Sequence, residues 1–198
     1  MSLINELKEL QWKQLKHDVN YHKDIWLLTV HHRVNHMVLH FAKYNGQLAQ
    51  ASFEKNSDLF RSSCLDTLII ATSLANILNV DLAKAFDVHK SNCTSIDELS
   101  ISMQKLNDAT IDSVSRNVAI CVGKLAKAAE SIDHLEKFSF RETLNDLVVD
   151  IFSIALAGCY IANGRTIVQR IQDRMLSVEQ KSMFYEQLGN YKDGYLCS

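Results

Sequence analysis

Apolar residues recur every three or four positions along almost the whole chain, the spacing of helices that bury one face. Leu3, Leu7, Leu10 and Leu15 mark a first helix. A long second segment runs from about Ile25 to Phe53, with Val30, Val34, Val38, Phe41 and Leu48 on one stripe. A third spans about 59–78 and a short fourth about 81–90, after which residues 91–94 read as a connection. Ser95 stands three positions before Glu98, a capping-box spacing that opens a fifth helix to about Leu106. A sixth covers roughly 111–135. Ser139 and Glu142 repeat the capping-box spacing ahead of a helix to about Ala162, and a last helix runs from about Thr166 to Gln187, leaving 189–198 as a loose tail.

Composition strengthens the all-helical reading. The 198 residues contain no proline and six glycines, too few chain-breakers for many strands joined by tight turns. With 47% hydrophobic and 22% charged residues the chain has the profile of a globular protein large enough to bury a core. A net charge of −2 argues against general nucleic-acid binding, which draws on clustered Lys and Arg. The amphipathic, acid-bearing N-terminus is unlike a signal peptide. The greasiest stretch, 147–162, is interrupted by Asp150 and reads as too short for a bilayer. The odd count of five cysteines without CxxC spacing suits reduced, buried thiols in a cytoplasmic protein.

The chain repeats itself. Gly46-Gln47-Leu48-Ala49-Gln50-Ala51 aligns with Gly123-Lys124-Leu125-Ala126-Lys127-Ala128, and Arg61, Asp66, Ser73 and Ala75 align with Arg141, Asp146, Ser153 and Ala155. This order points to a tandem duplication, with modules over 1–94 and 95–198 burying their apolar faces against each other as an intramolecular pseudo-dimer.

The run Ser62-Ser63-Cys64-Leu65-Asp66-Thr67-Leu68-Ile69-Ile70, continuing through Leu74 to Asp81-Leu82, resembles the third helix of the MazG-like, all-α nucleoside triphosphate pyrophosphohydrolases. Phe41 to Ala51 is similar to the helix before it, and 83–92 to the fourth. The resemblance covers about 25–92 and, more weakly, 108–185. It implies an ExxE pair and an ExxD pair on facing helices, binding Mg²⁺ that grips a triphosphate and activates water for cleavage between the α and β phosphates. Carried over, the ExxE positions fall on Tyr44 and Gln47, then on Cys121 and Lys124. The ExxD positions fall on Ser63 and Asp66, then on Thr143 and Asp146. Only Asp66 and Asp146 are carboxylates.

That loss frames the function. Mg²⁺ needs oxygen ligands, usually with one or two carboxylates, and a lysine at a ligand position repels it. The leading expectation is therefore a catalytically degenerate relative that binds a nucleotide or a protein partner and needs no metal. Lys124 and Lys127, at i and i+3, and Arg165, with Arg170 and Arg174 beyond it, are its candidate phosphate contacts; a solvated or ion-paired face is the plainer account. The rival is an active Mg²⁺-dependent pyrophosphohydrolase with a rearranged site around Asp66, Glu142, Asp146 and Asp150. A third reading takes His32, His36 and His40, at i, i+4 and i+8, as a metal-binding face. A homo-oligomer is compatible with each.

Overall fold

The computed structural model describes residues 2–86, 93–106, 108–137, 139–161 and 166–189. They form α1 (Leu3–Tyr21), α2 (Lys23–Trp26), α3 (Val30–Glu54), α4 (Ser57–Leu78), α5 (Leu82–Ala85), α6 (Ile96–Leu106), α7 (Ile111–Asp133), α8 (Phe140–Ile161), α9 (Ile167–Glu179) and α10 (Tyr185–Gly189). There is no strand among the described residues. The expected loose tail from 190 onward, and residues 87–92 of the expected fourth helix, lie outside them.

Local chemistry sets most boundaries. Asn56 Oδ1 accepts from the Leu59 N–H at 3.0 Å to start α4. Thr110 and Ser113 exchange bonds across the start of α7, each hydroxyl accepting from the other's N–H. At α6, the Ser95 hydroxyl accepts from the Glu98 N–H at 3.2 Å, while the Glu98 carboxylate reaches back past Ser95 to the N–H and hydroxyl of Thr94. With glycine scarce, α3 and α4 end on left-handed Lys55 (φ 53°) and Asn79 (φ 58°).

Two boundaries differ from the periodicity. The segment expected from Ile25 to Phe53 is interrupted after Trp26, because the Thr29 hydroxyl accepts from the His32 N–H and begins α3 afresh. The last helix stops at Glu179, and residues 180–184 turn before α10. The polar run Glu179-Gln180-Lys181-Ser182 gives that stretch no face to bury.

The centre is a ring of four helices. α3 packs on α4, α4 on α8, α8 on α7 and α7 back on α3. Phe41, Leu48, Phe60, Leu68, Leu74, Leu125 and Phe152 are fully buried between them, and burial of each stabilises the fold by roughly 1.5–3 kcal/mol. The buried hydroxyls of Thr67 and Thr72 donate to the carbonyls of Ser63 and Leu68, four residues back. α6 covers α8, and α1 covers α4 and α5. A window of α8, Phe140–Tyr160, is long and apolar enough to cross a membrane by length and composition, which corrects the shorter span read from the sequence. More than half of it is buried inside the fold.

Distant polar side chains pin the outer helices. Gln11 of α1 donates to Asn76 Oδ1 (3.0 Å) and to the Val80 carbonyl (2.8 Å), and accepts from the Leu82 N–H (3.0 Å). It thus satisfies the first N–H of α5 and the Val80 carbonyl in the connection that follows α4. Glu6 caps α6 through the Ile96 N–H, and Asp97 of α6 caps α9 through the Ile167 N–H.

α4 and α8 approach closely at Gly158, where an added Cβ would lie 2.6 Å from Cys64 Sγ and 3.2 Å from a methyl of Val114 of α7. We expect Gly158→Ala to destabilise the protein by about 1–3 kcal/mol in urea unfolding. Cys64→Ala, which removes the clashing sulfur, should recover much of that loss in the double variant; strictly additive losses would show that the close approach is not the cause.

Candidate functional site

The feature with the chemistry of a site is a cavity of about 220 Å³ between α1, α2, α3, α4 and α9. Helical spacing builds each wall. Gln14, His17 and Asp18 share one face of α1, and His22 follows at its C-cap. Arg33, His36, Met37, His40 and Tyr44 form a stripe on α3; Asp66, Ile69, Ile70, Ser73, Asn76 and Ile77 form one on α4. α2 brings Ile25 and Trp26, and α9 closes the space with Arg174, Met175 and Val178.

Paired charges hold α9 in place. Arg174 grips Asp66 with a two-pronged contact, Nε to Oδ1 at 2.7 Å and a terminal nitrogen to Oδ2 at 3.0 Å. That carboxylate is only 13% exposed, and its hydrogen bond raises the guanidinium's pKa further. At the α1 end, His17 Nδ1 lies 2.8 Å from Glu179 Oε1. Arg170 donates to the Cys159 carbonyl at 3.0 Å, closing the end of α8.

The remaining polar groups are less settled. Asp18 accepts from Gln14 Nε2 at 2.8 Å and from the Ser73 hydroxyl. Burial raises its pKa, against the pull of these bonds and of His17 and His22. Burial, then His17, lowers the pKa of His22. His36 and His40 meet at 3.0 Å through their Nε2 atoms. Burial, then the neighbouring His36, Lys43 and His22, lowers His40 to about 4. Arg33 lies 4.9 Å over the Trp26 ring. Gln14 Oε1, Arg33 Nε and His40 Nδ1 are buried without a hydrogen-bond partner.

The candidates read from the sequence fall in separate places. Asp66, His36 and His40 line the cavity. His32 does not join them: it bonds Thr29 at 2.7 Å and stacks on His31, whose ring contacts Asp133. Glu142, Asp146 and Asp150 are exposed along α8. Burial, then Asp146, raises the pKa of Asp150, with Lys124 opposing. Lys124 is exposed, and Lys127 bonds Glu130 and Glu136, each at 3.1 Å. Arg165 lies outside the described residues.

The residues at the positions implied for Mg²⁺ do not fit that ion. Ser63 donates to Gln47 at 3.3 Å, Tyr44 is buried, and Asp66 is already held by a guanidinium. In the second half Cys121 is buried, while Lys124 and Asp146 are exposed. Among the described residues no group of three or more His, Cys, Asp or Glu side chains is placed to hold a metal. No family model, curated protein or solved structure matches the chain.

The α1 wall was legible in principle. The buried stripe Leu3, Leu7, Leu10 continues through Gln14 and His17, two polar residues at positions where the pattern calls for apolar ones.

The histidines make stability pH-dependent. A folded pKa of about 4 at His40, against about 6.5 unfolded, means that the unfolded chain binds the extra proton. The stabilisation is therefore complete above pH 6.5 and lost as pH falls toward 4. Allowing for solvent at a half-buried ring, the loss is roughly 1–2 kcal/mol. Urea unfolding from pH 7.5 to 4.5 should show this slope, and His40→Gln should flatten it. An unchanged slope in His40→Gln would remove His40 as the cause.

Proposed function

We propose that the chain is a non-catalytic ligand-binding protein built on a duplicated, MazG-like helical scaffold, and that its ligand occupies the α1–α3–α4–α9 cavity. The observation that carries the reading is the Arg174–Asp66 pair. The carboxylate that the resemblance makes a metal ligand faces an internal cation, so the charge that would recruit Mg²⁺ is already compensated. The cavity keeps what a small-molecule site needs: apolar walls from Ile69, Ile70, Ile77 and Met37, with a few convergent polar groups. A nucleotide is the class the resemblance points to, and Arg33, which lines the cavity, supplies a cation that suits an anionic group. Lys124 and Lys127, on the separate face of α7, are less suited to that role.

The pairing of helices favours the duplication. α3 on α4 is matched by α7 on α8, and α1 covering α4 by α6 covering α8. In that correspondence Asp146 sits on α8 where Asp66 sits on α4, but exposed and away from any arginine pairing among the described residues. One module then keeps a cavity and the other a solvated face.

Incubation with a panel of nucleoside triphosphates and Mg²⁺ or Mn²⁺ should release no monophosphate or pyrophosphate. Nucleotide alone, without metal, should raise the melting temperature; at a hundred times Kd the stabilisation is about 2.7 kcal/mol, a rise on the order of 5–10 °C. Arg33→Met should abolish the rise. Turnover that disappears in Asp66→Ala or Asp146→Ala would overturn the non-catalytic reading, and no shift at millimolar nucleotide would remove nucleotides as the ligand.

A further inference from the structure

We propose that His36 and His40 of α3 bind a late first-row divalent transition ion, of the Ni²⁺ or Cu²⁺ kind, on the wall of the cavity. The site uses none of the side chains that the resemblance implies for Mg²⁺, and it stands whether or not a nucleotide occupies the cavity.

The helical spacing offers three imidazoles, and the structure brings two of them together. His32 turns to Thr29 and stacks on His31. His36 and His40, one turn apart, are half-buried and both line the cavity. Their Nε2 atoms meet at 3.0 Å, with the rings inclined at 66° and their centroids 4.6 Å apart. Two rings meeting end to end in a straight N–H···N bond of that length would hold their centroids about 5.3 Å apart. The nitrogens therefore do not point straight at each other; the contact is bent, as between two ligands that share a third atom. In the neutral pair one Nε2 carries a proton and the other is bare. Moving that proton to Nδ1 of its own ring frees both lone pairs, and none is released. Nδ1 of His40 is buried without a partner in either tautomer, so binding at Nε2 strands no further nitrogen of that ring.

The separation selects the ion. With metal–nitrogen bonds of about 2.0–2.1 Å, nitrogens 3.0 Å apart close an angle of roughly 95° at the metal. That is the angle between neighbouring ligands in octahedral or square-planar coordination, and it is narrower than the tetrahedral angle Zn²⁺ prefers. Imidazole suits Ni²⁺ and Cu²⁺, whereas Mg²⁺ and Ca²⁺ take oxygen ligands. No third His, Cys, Asp or Glu is placed to join the pair among the described residues. The remaining positions therefore fall to water, or to oxygen or nitrogen atoms of whatever occupies the cavity, as in metal sites that keep an open position.

Calorimetric titration of the metal-free full chain at pH 7.5 tests this with Ni²⁺, Zn²⁺ and Mg²⁺ as probes. The expected result is saturable one-to-one binding of Ni²⁺, tighter than that of Zn²⁺, and no binding of Mg²⁺ at the same concentrations. His36→Gln and His40→Gln should each weaken Ni²⁺ at least tenfold. Their melting temperatures without metal report whether each is folded, and if one is not, the other carries the test. His32→Gln, one turn before the pair, should leave the affinity unchanged. Ni²⁺ should raise the melting temperature of the unaltered chain and of His32→Gln, but not of the two pair variants. No saturable Ni²⁺ binding, binding indifferent to both pair variants, an equal loss in His32→Gln, or Zn²⁺ held more tightly than Ni²⁺ would each overturn the proposal.

Discussion

The two-pronged contact between Arg174 and Asp66 joins residues 108 positions apart and decides what the cavity can be. It fastens α9 across α4, so that a space between helices acquires a fourth wall. It also places a guanidinium against Asp66, the one acidic side chain among the four first-half positions that the proposed MazG-like resemblance would make metal ligands. Truncating Arg174 would leave the Asp66 carboxylate, only 13% exposed, poorly compensated, which is more costly than the net worth of the pair itself.

Around this contact the fold divides its labour. The ring of α3, α4, α7 and α8 supplies stability through apolar burial and one very close approach at Gly158. The outer helices are held by polar side chains instead: Gln11 on the α4–α5 connection and the start of α5, Glu6 on α6, and Asp97 on α9. Such bonds are directional and individually modest. They fix the placement of α1 and α9, whose facing surfaces form the cavity, more than they contribute to total stability. The cavity therefore lies where packing gives way to hydrogen bonding, with Asp18, His22, His40 and Gln14 only partly satisfied.

Much of the helical architecture was legible in the apolar period, because each long helix buries one continuous stripe. Leu3-Leu7-Leu10 and Phe41-Leu48 fall on buried faces. Breaks made by one hydroxyl were not legible: Thr29 interrupts an otherwise continuous stripe by capping α3. The cavity was legible in part. Asp66, His36 and His40 could be picked out as chemistry-bearing residues at helical spacing. The partner of Asp66 could not, since contact with Arg174 depends on how α9 crosses the bundle. Asp18 and Gln14 were hidden for another reason: in isolation they look like the polar face of an amphipathic helix, and only the continuation of the buried stripe through Gln14 and His17 betrays them.

The most direct test of the central claim is a double-variant cycle on Asp66→Asn and Arg174→Met, read by urea unfolding at pH 7.5. A working contact predicts that the two losses fall short of additivity by roughly 1–3 kcal/mol. Losses that add to within about 0.3 kcal/mol would mean that the guanidinium does not hold the carboxylate, and that Asp66 is free to serve a cation from solution.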